Sequence, residues 1–522
     1  MSQPDVSVVV AVYNTMPYLT TCLNSLVQQT IGLDRLEVVA VDDGSTDGSA
    51  AELDRFAERY PGIVTVLRQP NSGGPAAPSN RALDHARGRY VFFIGSDDHL
   101  GPEALERLVD AADRWDSDVV LGRMVGTNKR YVHQAVYAST REDVDLFDSD
   151  LAWSLSNTKL FRRDLIERHG LRFREDMRMG SDQPFTLEAC FRARRISVLA
   201  DYEYYYAVKR DNAQNITYAS RFEERLRCAE ELVGFVVDLI EPGPRRDAIL
   251  LRNFSWEVAK LLQREFLALA PDAQQRVHDR IRKLAEAYLT DGVVARLAPD
   301  LRLRLVLARD AGLDRLRDLV GQQSDKAPPE VVIEEGRWYA HYVGFRDPSL
   351  GYPDEWYDVT DEAAKVMAKL TATTLAWGRD ATGARVLVVT AQSRWAALAA
   401  LGAEAVRISV GELAGASSVT AGGPGTVVRT DFALDQLLAV VAANGERRVV
   451  RAEVTASGGT GSSPLATDRR VCAPRLLARR GVRFHLVTPT TNHKGQVIVA
   501  ITPVTPRRFL ARLRRIWPSG GK

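Results

Sequence analysis

Cysteine is scarce in this chain: four residues in 522, Cys22, Cys190, Cys228 and Cys472, with no CxxC pair among them. That excludes a dense disulfide framework, argues against a cysteine-bound zinc, and fits a reducing cytoplasm. Net charge is almost absent too. The 69 basic side chains nearly cancel 67 acidic ones, leaving +2, so the molecule as a whole offers little to nucleic acid and no nucleic-acid partner is expected. No run approaches the roughly 20 apolar residues that span a bilayer. The N-terminus, Met1-Ser2-Gln3-Pro4-Asp5, has neither a basic n-region nor a small-residue cleavage site, which speaks against a secretory signal. The sequence reads as soluble or peripheral, with no strict internal repeat.

What is present is ordinary globular composition, 45% hydrophobic and 26% charged, in a length that allows roughly three or four domains. From Val6 to about Trp115, short β-branched runs alternate with helical patterns. The runs are Val6 to Val12, Leu36 to Val41, Ile63 to Leu67 and Tyr90 to Ile94, nearly all apolar, as strands covered by helices on both faces must be. A helix is expected over Pro17 to Gln29, with Leu19, Cys22, Leu23, Leu26 and Val27 on one face. This is α/β writing, with successive βα units around a mainly parallel sheet. Beyond about Ser220 come long amphipathic patterns, Arg221 to Ile240, Arg246 to Leu269 and Pro271 to Leu289, which predict a helical linker. The stretch Gln322 to Glu330 marks a boundary. Short strands then follow, from Val331 to Ile501, spaced like one or two β-sandwich modules. The expected divisions are 1–220, a nucleotide-binding α/β domain; 221–325, the linker; 326–415 and 416–505, two β-rich modules; and 506–522, a basic amphipathic tail.

Carboxylates cluster where strands end. The second strand runs into Asp42-Asp43-Gly44-Ser45-Thr46-Asp47-Gly48. A carboxylate there can accept the imide N–H of uracil, although a turn with Asp47 or Ser49 capping the next helix explains the same residues. The fourth strand runs into Gly95-Ser96-Asp97-Asp98-His99. Two adjacent carboxylates after a buried strand are costly unless something positive lies between them, and Mg2+ or Mn2+, held by one or two carboxylates together with phosphates, would serve. A capped turn is the plainer alternative, and His99 reads as a rim residue.

Taken in series, four segments carry a resemblance: Val9-Val10-Ala11-Val12-Tyr13-Asn14, Val41-Asp42-Asp43-Gly44-Ser45-Thr46-Asp47, Asn71-Ser72-Gly73-Gly74-Pro75, and Gly88 through Asp98. Residues 5 to about 217 resemble a family-2 glycosyltransferase with the GT-A fold, a Rossmann-like nucleotide-sugar domain. The resemblance implies a UDP-sugar donor and an inverting, metal-dependent transfer with Mn2+ or Mg2+. It implies that Asp42 contacts uracil, that Val12, Tyr13 and Asn71 line the nucleoside pocket, that Ser96 and Asp97 meet the nucleotide, and that Asp97 and Asp98 hold ribose and metal. This chain departs from many relatives in having Gly95 in place of an aspartate, and Pro78-Ser79-Asn80 in place of Ala-Arg-Asn. The second change removes a basic contact for which Arg81 is the candidate replacement.

Met179-Gly180-Ser181-Asp182-Gln183-Pro184-Phe185 resembles the family segment beside the acceptor, which makes Asp182 the candidate catalytic base, with a helix N-cap as its structural alternative. Asn157 to Arg163 and Tyr204 to Arg210 resemble segments near acceptor and diphosphate. Lys209 and Arg210 would clamp phosphate, and the tyrosines suit strand core or binding equally. The linker followed by β-modules is similar to bacterial enzymes that glycosylate wall teichoic acids. That similarity implies an anionic polyol-phosphate or other cell-envelope glycan as acceptor, and a homo-oligomer such as a trimer. Trp338, Tyr339, Tyr342, Tyr352, Trp356 and Tyr357 would stack on sugars or form sandwich core. The tail mixes arginines with Phe509, Leu510, Leu513, Ile516 and Trp517 and suits an anionic membrane surface, here the inner face of the cytoplasmic membrane, or a solvated end. A competing expectation is a catalytically weak domain kept as a glycan-binding or assembly module, prompted by Gly95 and Ser79.

Overall fold

The computed structural model describes residues 3–210, 222–324, 329–335, 337–423, 425–440, 446–456, 459–468 and 470–504. The chain divides into two compact units, Met1–Leu313 and Asp314–Lys522. Among the described residues no helix is long and apolar enough to cross a membrane, and all four cysteines are unpaired.

In the first unit the β-branched runs form β1 (Val6–Val12), β2 (Leu36–Asp42), β3 (Val64–Arg68) and β4 (Tyr90–Gly95). They are followed by β5 (His99–Leu100), β6 (Val119–Gly122), β7 (Met124–Thr127), β8 (Leu160–Arg162), β9 (Ile196–Leu199) and β10 (Tyr205–Val208). One seven-stranded sheet has the order β3-β2-β1-β4-β8-β6-β9. Its pairings are parallel except at β8, which runs antiparallel to both β4 and β6. The helices of this part are α1 (Tyr18–Val27), α2 (Ser49–Arg59), α3 (Ala76–Leu83), α4 (Ala104–Trp115), α5 (Arg163–Arg168) and α6 (Asp182–Arg192). On α1 the face expected from spacing, Leu19, Cys22, Leu23, Leu26 and Val27, is the buried one.

The chain steps from β1 outward to β2 and β3 and then returns to the other flank of β1 as β4. Strand order therefore reverses between β1 and β4, and the crevice beyond their carboxyl ends is where an open α/β sheet receives its ligand. A small sheet, β5-β10-β7, lies over that end. It pairs Tyr205 with Leu100 and Tyr206 with His99, and so draws β10 back to the loop that leaves β4.

As far as Leu313, the linker belongs to the same unit as the sheet. Its helices include α7 (Phe222–Leu239), α8 (Pro244–Asn253) and a long one at Pro271–Tyr288. The continuous helix expected over 246–269 is broken: α8 passes into a π-helical stretch, Phe254–Val258, then a 3₁₀ turn, Ala259–Leu262, and a short helix, Arg264–Leu267. Amphipathic spacing alone does not register that widening of the backbone repeat.

In the second unit, the strands 371–379, 385–393, 425–433 and 416–422 form one antiparallel sheet. A larger sheet takes in 406–410, 446–456, 476–480, 483–491 and 497–503. Both contribute to a single core, in which Leu387, Val389, Val428 and Phe432 join Ile408, Val450, Val499 and Ile501. The boundary expected at 415/416 thus falls inside one β unit, because strands on either side of it pair with each other. Trp338 and Tyr357 are fully buried, so these two aromatics are core rather than a sugar-stacking face. The tail at 506–522 lies outside the described residues.

Candidate active site

The crevice is built by three strand ends and the loops that tie them together. At the end of β1, Val12 is buried and its carbonyl accepts from the Asp43 N–H at 2.9 Å. Tyr13, 48% exposed, faces outward. Asn14 takes a left-handed backbone, φ 47°, and its Oδ1 accepts from the Thr46 N–H at 2.7 Å. Thr15 Oγ1 lies 2.9 Å from Ser96 Oγ, which joins the loops after β1 and β4.

At the end of β2 the two aspartates separate in role. Asp43 accepts from Gln69 Nε2 at 2.7 Å and from both the N–H and the hydroxyl of Ser72, so it fixes the loop that carries Asn71. Asp42 accepts only from the Ser45 N–H, at 3.0 Å, through Oδ1; its Oδ2 has no partner among the described residues. Gly44 is required by contact as well as by its φ of 78°, since a Cβ there would stand 2.9 Å from the Asn71 backbone nitrogen. The turn reading of this motif is partly met by Asp47, whose Oδ1 accepts from the N–H and hydroxyl of Ser49 at the start of α2.

The carboxylates after β4 are held by residues more than a hundred positions away. Asp97 Oδ2 accepts from Arg210 Nε at 2.7 Å. Asp98 is buried; its Oδ2 accepts from the Tyr205 hydroxyl at 2.6 Å and its Oδ1 from the Val208 N–H at 2.7 Å. Arg130 Nη1 lies 3.6 Å from Oδ1. The Tyr205 oxygen in turn accepts from the Gly95 N–H at 3.1 Å. Burial first, and then the Asp97 charge beside it, raise the Asp98 carboxyl above the usual carboxylate range, against the pull of Arg130 and the two donors. Neither aspartate caps α4, whose N-cap position is Glu103. His99 stacks on Tyr206, ring centroids 4.7 Å apart.

Gly95 decides whether a cation fits here. A Cβ at Gly95 would lie 2.9 Å from Asp98 Oδ2 and 3.1 Å from Asp97 Oδ1. The missing side chain keeps a small space open between two carboxylate oxygens, the hard donors that Mg2+ and Mn2+ prefer. Among the described residues no group of three or more His, Cys, Asp or Glu side chains is placed to hold a metal. The donor set therefore suits an ion that completes its shell with oxygens from outside the protein, and not an all-protein cage.

Asp182 opens α6 and is half-buried. It does not act as the N-cap: that position is Ser181, and no side-chain capping bond forms. Three residues on, Phe185 stacks on Phe173 at 4.3 Å and meets Phe93 of β4 edge-on at 5.3 Å. The start of α6 is thereby fixed to the strand that ends in the paired carboxylates. Burial raises the Asp182 carboxyl, while Arg252 and Lys159 oppose the shift and Glu257 adds to it. Lys159 is itself buried, its Nζ donating to the Ser154 and Ser156 carbonyls at 2.6 and 2.5 Å, and burial lowers it to about 8.

The structure thus brings Val12, Asp42, Asn71, Ser96, Asp97, Asp98 and Arg210 to one crevice; Tyr13, next to Val12, and Lys209, next to Arg210, are exposed. Arg81 lies on α3 with its guanidinium on the Arg68 carbonyl at 2.6 Å. Sequence reasoning passed over Asp43, Arg130, Arg252 and Glu257, and left Tyr205 open between core and binding; the hydroxyl partner that settles its placement is remote in sequence.

Residues 7–200 match the family model for glycosyl transferase family 2, and residues 225–320 match that for the glycosyl transferase TarS linker domain. The poly(ribitol-phosphate) beta-glucosyltransferase of Bacillus spizizenii is 32% identical over 374 residues, 70% of this chain and 56% of that enzyme. This chain therefore spans little more than half of that relative. EpsH of Bacillus subtilis, which carries a provisional glycosyltransferase name, is 30% identical over 259 residues, 45% of this chain and 70% of EpsH. A crystal structure of Staphylococcus aureus TarS 1-349 in complex with UDP-GlcNAc superposes with TM-score 0.57 at 29% identity, covering 67% of this chain and 98% of that one. That of S. aureus TarS covers 96% of this chain and 86% of that one, with TM-score 0.59 and 23% identity, a likeness of fold that extends into the second unit.

Proposed function

The chain belongs to glycosyl transferase family 2, and from that premise we propose that it moves a hexosyl or N-acetylhexosaminyl group from a UDP-sugar to a hydroxyl of a poly(ribitol-phosphate)-type polymer, with inversion. One observation carries the reading: Asp42 with a free oxygen, the Asp97–Asp98 pair and the cation Arg210 stand together at the β1/β4 switch point. The names of the B. spizizenii enzyme and of the TarS complex support the acceptor and donor classes.

Asp42 accepts from the uracil imide, with Tyr13 and Asn71 beside the base. Ser96 and Asp97 face the ribose and diphosphate, and Lys209 and Arg210 balance phosphate charge. Asp97 and Asp98 would hold Mg2+ or Mn2+, which when bound neutralises charge on the departing diphosphate. Asp182 takes the acceptor hydroxyl proton as that oxygen bonds to the anomeric carbon. The bond from that carbon to the diphosphate oxygen breaks, and UDP leaves with the electron pair. A carboxyl raised by burial retains enough basicity for this task, which a fully solvated one lacks.

An exposed Trp256, 41% accessible, with Lys260 Nζ 3.4 Å from its ring centroid, adjoins Glu257, which contacts the residue after Asp182. An aromatic face beside an ammonium suits a phosphate-bearing polyol chain. The cytoplasm, a homo-oligomer such as a trimer, and contact of the basic tail with the inner membrane surface complete the proposal. Sedimentation and vesicle binding test the last two. The test of function is UDP release from a panel of UDP-sugars with poly(ribitol-phosphate), with and without Mn2+. Metal-dependent release from one donor is expected, and Asp182→Asn is expected to keep UDP binding while losing transfer about 10²- to 10⁴-fold. Normal transfer by that variant would remove Asp182 from its role.

A further inference from the structure

The start of α6 lacks the side-chain cap that usually fixes a helix N-terminus. Two contacts from the helical linker stand in its place, one on each side of Asp182. Upstream, Cys228 of α7 donates through Sγ to the Met179 carbonyl at 3.5 Å, and Cys228 and Leu232 pack with Met177 and Met179. Downstream, the Gln183 amide is gripped at both ends: its Oε1 accepts from Arg252 Nη1 at 2.5 Å, and its Nε2 donates to Glu257 Oε1 at 3.2 Å. Arg252 and Glu257 also pair with each other at 3.1 Å, and both side chains are largely buried, 9% and 20% exposed. On a regular α-helix, residues five apart point roughly 140° away from each other. The π-helical stretch Phe254–Val258 changes that repeat and lets Arg252 and Glu257 meet on one side of the linker.

We infer that Arg252 and Glu257 are positioning residues for the base: their fork on Gln183 holds the first turn of α6, so the linker, not the sheet domain alone, aims the Asp182 carboxylate at the acceptor. This rests on the reading of Asp182 as base. Arg252 also favours the Asp182 anion and Glu257 disfavours it, so the two variants carry opposite electrostatic signs. The other titratable groups facing Asp182 are Lys159, ahead of β8, and Cys228 of α7, and both stay in place in either variant.

The test compares Arg252→Gln, Arg252→Lys and Glu257→Gln with wild type, using UDP affinity by calorimetry as the check that the fold and donor site persist. Misaiming a reacting group by about 1 Å costs about 100-fold. Arg252→Gln is therefore expected to lower kcat about 10- to 100-fold with donor KM unchanged, and to move the acid limb of the kcat/KM profile to higher pH. Glu257→Gln is expected to move that limb to lower pH, and Arg252→Lys to leave it near the wild-type position. The Asp182 carboxyl is followed in parallel by 13C NMR of aspartate-labelled protein, assigned with Asp182→Asn, which reads the same two shifts without turnover. Unmoved Asp182 titrations in both variants, or movements of the same sign, would overturn the inference. Normal transfer by Asp182→Asn would instead overturn the base assignment, and the NMR shifts would still report whether the fork acts on that carboxyl.

Discussion

Tyr205→Phe isolates a single oxygen on which the carboxylate pair depends. The phenol donates to Asp98 Oδ2 at 2.6 Å and accepts from the Gly95 N–H at 3.1 Å, while its ring packs against Phe92, centroids 6.4 Å apart, a contact that phenylalanine keeps. A hydrogen bond to a charged group contributes about 1.5–3 kcal/mol and a neutral one about 1 kcal/mol. The hydroxyl therefore favours the Asp98 anion over the neutral acid by about 0.5–2 kcal/mol. At about 1.4 kcal/mol per pH unit, its loss raises the Asp98 midpoint by about 0.5–1.5 units. On the proposed reading the ion needs the Asp98 anion, so metal-dependent UDP affinity is expected to be full at high pH and lost as pH falls through that midpoint, which already lies above the usual carboxylate range. Without cation the sign reverses. The folded state takes this proton more readily than the unfolded chain, so the apo protein gains stability from Asp98 as pH falls through the same window. The assay is calorimetric titration of UDP with Mn2+ across mildly acidic to neutral pH. The variant's curve is expected to lie about one unit to the alkaline side. Coincident curves would refute the claim that Tyr205 holds the Asp98 anion.

Gly95→Ala places a methyl 2.9 Å from Asp98 Oδ2 and 3.1 Å from Asp97 Oδ1; it is expected to weaken Mn2+-dependent UDP binding at least about tenfold with little change in unfolding midpoint, read by the same calorimetry and by urea titration. Asp43→Ala removes a carboxylate that accepts from Gln69 and twice from Ser72, so a stability loss of about 2–4 kcal/mol and faster proteolysis near Asn71 are expected. Trp256→Ala is expected to raise the acceptor KM several-fold and leave donor KM unchanged, because Trp256 is exposed next to Glu257, whose carboxylate meets Gln183 beside Asp182.

The strand ends that bring the candidate nucleotide residues together were legible because they are local. A strand buried on both faces reads as an unbroken apolar run, and a carboxylate at its carboxyl end must stand in the crevice: Val6 to Val12 with Asn14, Leu36 to Asp42, and Tyr90 to Asp98 follow from that alone. The same reasoning is silent on β8, whose antiparallel insertion between β4 and β6 depends on pairings made across some 70 and 40 residues of chain. It is silent for the same cause on the second unit, where 416–433 folds back on 385–393 and defeats a boundary drawn from turn composition.

Division of labour within each carboxylate pair was not legible, because side-chain partners and not spacing decide it. Asp42 and Asp43 are adjacent and chemically identical, yet only Asp43 is consumed by the Asn71 loop. Asp97 and Asp98 differ in what returns to them: Arg210, just past β10, for one, and for the other Tyr205 and Val208, the two ends of β10, with Arg130 close by. Gly95, which in sequence looks like a lost ligand, is in three dimensions the clearance that lets both carboxylates turn toward one point. An aspartate there would bring its own Cβ into that clearance. On the proposed reading, the departure that most suggested a weakened enzyme is a different way of presenting the same two oxygens, with charge balance from Arg210, which the Tyr204 to Arg210 segment announces, and from Arg130, which no local motif does.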